Sequence, residues 1–145
     1  YPEPTGVVSA VAPNESSLIG LISIIAPIIA GGNTVVVLAS DSKPLCSITF
    51  AEVLHTSDVP GGVVNILTGH RSELLEHFSS HMDVNAIVYC GTDNDEITLV
   101  QQNAALNVKR PVVYTDQDWM DNTVQDPYRI LNTLETKITW HPVGV

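Results

Sequence analysis

The feature that most constrains the fold is a rhythm of continuous β-branched runs separated by helix-length segments. Asn33–Ala39 reads Asn-Thr-Val-Val-Val-Leu-Ala, apolar at consecutive rather than alternate positions. Such a strand has both faces away from water, the condition of a strand inside a parallel sheet. Four other runs share this character: Val7–Ala12, Val63–Leu67, Ala86–Cys90 and Pro111–Tyr114. Parallel neighbours need crossover connections, and helices over about Leu18–Ala30, Pro44–His55, Ser72–Ser80 and Asp95–Leu106 supply them. Local punctuation agrees. Asn14, Ser16 and Ser17 offer cap oxygens before the first helix, Gly31-Gly32 stops it, and Pro44 sits in the first turn of the second. Pro27 lies inside the first helix and frees the Ser23 carbonyl, so a kink is expected there. The pattern implies an α/β chain: an open doubly wound parallel sheet, Rossmann-like, of about five strands.

At 145 residues the chain is one domain by length, long enough to bury a core without staples. Sixteen acids against six Lys and Arg give a net charge of −10. That balance excludes nucleic acid as a partner and opposes an anionic membrane surface. The longest apolar stretch, Leu18–Gly32, would span only about 22 Å as a helix against a hydrocarbon core of about 30 Å. It reads as a buried core helix. Two cysteines fit a reducing compartment better than a disulfide framework, no charged-then-apolar leader is seen, and Tyr1 suggests a cut from something longer. A cytoplasmic location is expected.

The last stretch differs. Asp116–Pro127 is polar and acidic, as in an irregular loop. Leu134–Val143 alternates, with Glu135, Lys137, Thr139 and His141 on one side and Ile138 and Trp140 on the other. This predicts an extra, half-buried C-terminal edge strand, with Ile138 and Trp140 as interface residues. Pro142-Val143-Gly144-Val145 echoes Pro4-Thr5-Gly6-Val7, too short a match to define a repeat.

Ligands of open α/β sheets sit at the carboxyl ends of the strands. The segments that matter are therefore Pro13–Ser17, Leu38–Lys43, Gly69–Leu75 and Gly91–Glu96. Three motifs in order now become informative: Pro4-Thr5-Gly6-Val7-Val8, then Ala26-Pro27 through Gly32-Asn33-Thr34-Val35-Val36, then Pro60-Gly61-Gly62-Val63-Val64-Asn65-Ile66-Leu67-Thr68-Gly69. Together they resemble the coenzyme-binding domain of the aldehyde dehydrogenase superfamily over residues 4–120. The resemblance implies a five-stranded Rossmann-type domain that normally holds NAD or NADP. It also divides the chain into a coenzyme-type domain over 1–120 and a loop and strand over 121–145, suited to assembly.

The family's functional positions carry over poorly. Its oxyanion-binding Asn falls on Glu15, or on Asn14 after a one-residue shift. A carboxylate repels the charge that an amide stabilises, and Glu15 reads better as an acid at a helix N-terminus. The ribose-contacting Lys falls on Leu38, although the nearby acid survives as Asp41. Small glycines near the adenine fall on Arg71 and Leu75, and the branched Leu75 is expected to intrude. The Phe-Thr-Gly-Ser strand end matches Tyr89-Cys90-Gly91-Thr92, where Gly91 and Thr92 open a helix suited to a diphosphate. Asp93, Asp95 and Glu96 follow at once and are expected to cap that helix. Like charges about 4 Å apart at an effective dielectric of about 20 repel by ~4 kcal/mol. The general-base Glu is replaced by Tyr114, a poor base at neutral pH. The family's nucleophilic Cys belongs to a separate domain.

Other constellations are weaker. Cys90 has no basic neighbour in sequence to activate it, and Cys46 reads as helix filler. His77 and His81 share one helix face, but a solvated or structural role outweighs a metal site. The leading expectation is a non-catalytic fragment or domain with a structural or oligomerisation role, forming a homo-oligomer or docking on a parent-chain dehydrogenase domain. No cofactor is expected, with NAD or NADP bound weakly at most through Asp41, Gly91 and Thr92. The alternative is an NAD(P)-binding module needing a separate catalytic domain. A third is a site for an uncharged ligand lined by Leu38, Leu75 and Tyr89.

Overall fold

The computed structural model describes residues 1–142. Five parallel strands form the sheet: β2 (Val7–Val11), β3 (Thr34–Leu38), β4 (Val64–Leu67), β5 (Ala86–Cys90) and β6 (Arg110–Tyr114), in the order β4-β3-β2-β5-β6. The chain thus runs outward from β2 on one side and then crosses to the other. Four crossover helices follow: α1 (Ile19–Ala30), α2 (Leu45–His55), α3 (Arg71–Ser80) and α4 (Asn94–Leu106). Right-handed crossovers put α1 and α2 on one face and α3 and α4 on the other. Each boundary lies within a residue or two of the sequence expectation, since the apolar runs and their Gly and Pro punctuation point the same way.

The central strands are apolar on both sides because two cores meet on them. On the α1 face, Leu21, Ile24, Ile25 and Ile28 pack on Val8, Ala10, Val35, Val37 and Val88. On the other, Leu75 and Phe78 of α3 and Val100 of α4 pack on Val11, Leu38, Ile87 and Tyr89. Burying each large aliphatic side chain contributes about 1.5–3 kcal/mol. The outer face of α1 is not covered, however: Leu18 and Ile19 before and in its first turn, then Ile22, Ala26 and Ala30, are exposed. The expectation of a fully buried helix is therefore corrected to one of half burial.

Asn33 explains its place in the Gly-Asn-Thr motif. Its buried amide oxygen accepts from the Gly6 N–H at 2.9 Å and the Thr5 hydroxyl at 3.1 Å. Its amide nitrogen donates to the carbonyls of Thr133 at 2.9 Å and Ile28 at 3.3 Å. One side chain joins the start of β2, the end of α1 and the returning C-terminal segment. Gly6 and Gly32, flanking this staple in space, have φ of +119° and +86°, where a side chain is strained.

Residues 116–133 complete the α1 face. They form a 3-10 turn (Asn122–Val124) and the short helix α5 (Tyr128–Leu131), and Trp119 enters the α1-side core. The guanidinium of Arg129 stacks over Tyr114 at 4.5 Å and Trp119 at 5.2 Å. The C-terminal strand exists as β7 (Leu134–Thr136), but it pairs antiparallel with β1 (Pro2–Pro4) in a separate ribbon rather than extending the main sheet. Tyr1 and Lys137 exchange both backbone bonds, and the Thr5 N–H meets the Thr133 carbonyl. The odd positions donate, so Pro2 and Pro4 fall where no N–H is needed. That arrangement hid β1 from propensity. The half-burial expected beyond β7 is corrected: Ile138 is 92% and Trp140 84% exposed. The expected strand end at Val143 and most of the Pro142–Val145 echo lie outside the described residues. No described helix is long and apolar enough to cross a membrane.

Candidate functional site

The carboxyl ends of β2, β3, β4 and β5 open on one crevice of about 410 Å³, lined among others by Asn14, Asp41, Arg71, Tyr89, Gly91 and Thr92. A second hollow of about 310 Å³ continues it past Glu15, Gly91 and Thr92 to Tyr114, Asp116, Gln117 and Trp119. The fold therefore brings Asp41, Gly91 and Thr92 together. Asn14 and Asp41 are tied by a bond from the Asp41 N–H to the Asn14 amide oxygen at 2.9 Å.

What occupies the crevice is the chain itself. Arg71 begins α3, and its guanidinium crosses to donate to the Ala12 carbonyl at 2.8 Å. It pairs with Glu96 at 3.5 Å and lies 5.5 Å from the centre of the Tyr89 ring. Glu96 in turn accepts from the Tyr89 hydroxyl at 2.5 Å. Burial first, and the Glu96 contacts next, push the Tyr89 phenol well above its ordinary pKa. A methyl group added at Gly91 would stand 2.6 Å from the Tyr89 hydroxyl and 3.1 Å from Arg71, so the cluster has closed over the glycine.

The α4 N-terminus is likewise committed. Asp93 Oδ1 accepts from the N–H groups of Asp95 at 2.9 Å and Glu96 at 3.1 Å. These are the donors a diphosphate would use. Asp41 is held by His70 Nδ1 at 3.0 Å and the Arg71 N–H at 3.3 Å. Arg71 is the lone Lys or Arg among the lining residues of the two hollows, against Glu15, Asp41, Asp93, Glu96 and Asp116.

Two sequence expectations are corrected. Leu38 and Leu75 do not line the crevice; both are buried in the α3-side core, and Arg71 fills the space instead. Glu15 does not serve the α1 N-terminus. Its carboxylate accepts from the Trp119 indole at 3.2 Å, while the Ser16 hydroxyl accepts from the Gly20 N–H. Cys90 has no basic neighbour in sequence, but the fold brings Arg129 and Arg71 near it from distant segments. Burial outweighs them and pushes the thiol up to about 12, which leaves it unreactive. Tyr114, at the general-base position, lies under Arg129 and accepts from the Asn132 amide at 3.0 Å. The roles of Arg71, Trp119 and Arg129 carry no local sequence signal: Ala12 is 59 residues from Arg71, Glu15 is 104 from Trp119, and even Gln117 is 12 from Arg129. Among the described residues no group of three or more His, Cys, Asp or Glu is arranged around a metal position.

The family model described as aldehyde dehydrogenase family matches residues 1–115. The chain belongs to the aldehyde dehydrogenase family. Aldehyde dehydrogenase 1 of Tanacetum cinerariifolium is 34% identical over 107 residues, covering 74% of this chain and 21% of that protein. A hydroxyisobutyraldehyde dehydrogenase of Mycolicibacterium austroafricanum is 32% identical over 131 residues, 85% of this chain and 26% of its own length. Among solved structures, aldehyde dehydrogenase C of Pseudomonas syringae, a mutant in complex with NAD+ and octanal, superposes with a TM-score of 0.75 at 34% identity. That match covers 79% of this chain and 23% of the Pseudomonas chain. This aldehyde dehydrogenase family chain thus spans about a quarter of the length of the relatives it matches.

Proposed function

We propose that this chain is a non-catalytic aldehyde dehydrogenase-type domain with a structural role in assembly. The observation that carries the proposal is Arg71, whose guanidinium is locked across the crevice between Ala12 and Glu96. A dinucleotide needs that space, needs the α4 amides that Asp93 takes, and brings a diphosphate to a crevice rich in carboxylates. The residues present do not fit NAD or NADP, and no hydride step is derived through either. Tyr114 supplies no base for one.

In this proposal residues 1–120 form the scaffold and 121–145 the assembly element, working in the cytoplasm. Ile138 and Trp140 are offered to a second copy or to a parent-chain dehydrogenase domain. A bulky exposed indole is the kind of side chain that anchors contacts. The second reading, an NAD(P)-binding module needing a separate catalytic domain, draws on the NAD+ complex of the 34%-identical Pseudomonas protein and on Asp41, Gly91 and Thr92 sharing one crevice. Calorimetric titration separates the two. No saturable heat with NAD or NADP up to several millimolar is expected, and saturation in the micromolar range overturns the first reading.

A further inference from the structure

The two hollows at the carboxyl end of the sheet form one trough, since Glu15, Gly91 and Thr92 wall both. Its charge is opposite to that of a diphosphate site. Asp41, Asp93 and Glu96 line the first hollow, Asp116 the second and Glu15 both. Arg71, the lone Lys or Arg of the lining, is engaged by Glu96. Among the described residues Glu15, Asp93 and Asp116 enter no ion pair, so three carboxylates along the trough lack a cation from the chain.

Independently of the acids, the aromatic walls already hold organic cations. In the first hollow the Arg71 guanidinium lies 5.5 Å from the centre of the Tyr89 ring. Beside the second, that of Arg129 lies 4.5 Å from Tyr114 and 5.2 Å from Trp119, two rings set edge to face with centres 6.4 Å apart. The negative faces of such rings attract a weakly hydrated cation. Tyr114 and Trp119 line the hollow and Arg129 does not, so ring surface remains for an occupant.

The distribution of the acids selects the kind of cation. A divalent metal ion needs several oxygens converging on one point, and among the described residues no three His, Cys, Asp or Glu do so. The carboxylates are instead strung along hollows of about 410 and 310 Å³. An extended cation whose charges are separated by methylenes meets them one by one, and its methylenes lie against Tyr114 and Trp119. We propose that the crevice closed to a dinucleotide is a site for a linear polyamine. The proposal rests on the reading of that crevice as unfit for NAD and names what its chemistry takes instead. A net charge of −10 attracts such a cation to the whole molecule. At about 0.15 M salt, however, charges more than about 8 Å apart are screened, so nearby carboxylates decide.

Trp119 supplies the readout, because its indole lines the second hollow and bonds to Glu15. In a Trp140→Phe background it is the chain's sole tryptophan. Spermidine titrated at about 0.15 M NaCl should change its emission saturably, with half-saturation below about 1 mM. Combined Glu15→Gln and Asp116→Asn should raise that concentration at least about fivefold. Gln keeps an acceptor for the indole, and Asn tolerates the φ of +51° at position 116. Combined Glu52→Gln and Asp58→Asn make the same change of charge in the last turn of α2 and the loop after it, and should raise it less than about twofold. If the crevice pair loses its helical circular dichroism, Asp116→Asn alone must still raise it at least about twofold. No saturation up to about 20 mM overturns the proposal. Equal weakening by the two pairs, a general response to charge, also overturns it, as does magnesium chloride acting as strongly as spermidine. NAD titration keeps the two readings apart. Silence with both NAD and spermidine refutes the polyamine site alone, whereas micromolar NAD binding refutes the closed crevice and the polyamine site with it.

Discussion

Replacing Arg71 with Ala tests whether the crevice is held shut by one side chain. Three contacts are lost. The bond to the Ala12 carbonyl at 2.8 Å is charge-assisted, a class that contributes about 1.5–3 kcal/mol. The Glu96 pair at 3.5 Å contributes about 1 kcal/mol, since the Glu96 side chain is 27% exposed and water screens it. The stack over Tyr89 at 5.5 Å contributes about 0.5–1 kcal/mol. The gross loss is about 3–5 kcal/mol. Water entering the vacated crevice rehydrates Ala12 and Glu96, so the net cost should be about 2 kcal/mol. In urea, with a slope of about 2 kcal/mol/M for a chain of this size, the midpoint should fall by about 1 M at unchanged slope. A fall under about 0.3 M would refute the account of Arg71 as the crevice's clasp. The same variant should still bind no NAD, because Asp93 and its neighbours remain. Tight binding on removing Arg71 alone would show that the α4 cap is no obstacle.

Other outcomes follow from the same geometry. Asp93→Ala removes the cap of α4 and should cost about 1 kcal/mol in the same denaturation experiment. Lys109 is buried, and its ammonium donates to the Ser79 carbonyl at 2.8 Å and to that of His81, closing the end of α3. Burial holds its pKa below the ordinary lysine range. Over the window between the folded and unfolded pKa values, the unfolded chain keeps the proton that the folded chain has lost. Wild-type stability relative to Lys109→Met should therefore rise with pH from the folded value up to about 10.4, and a falling difference would contradict the burial effect. With a thiol reagent at neutral pH, exposed Cys46 should react at once and Cys90 only on unfolding; two fast thiols per native chain would count against the raised Cys90 pKa.

The sheet was legible in the sequence because its signals are local. Thr34–Leu38 and Ala86–Cys90 are short runs, apolar or β-branched at nearly every position, and that length and composition suit a strand covered on both faces, whereas the longer apolar run of α1 makes a helix. Gly31-Gly32 and Pro60-Gly61-Gly62 then fix where helices and turns fall. Asp93 was readable as a cap for the same reason, since it reaches donors only two and three residues on, whereas Glu96, expected to cap as well, turns to Tyr89 and Arg71.

Contacts between distant segments were not legible. Nothing near Arg71 in sequence announces Ala12, Tyr89 and Glu96 as its partners, and nothing near Trp119 announces Glu15. Leu75 looked like the intruder because it falls where the resembling family carries a small glycine, but helical phase turns it into the core and leaves Arg71 in the crevice. The ribbon of Pro2–Pro4 with Leu134–Thr136 was hidden because prolines are poor strand formers unless register spares their missing N–H. Local pattern determines which segments are strands and helices. Only tertiary packing decides which charges meet, and in this chain it brings them together across the crevice that a coenzyme would need.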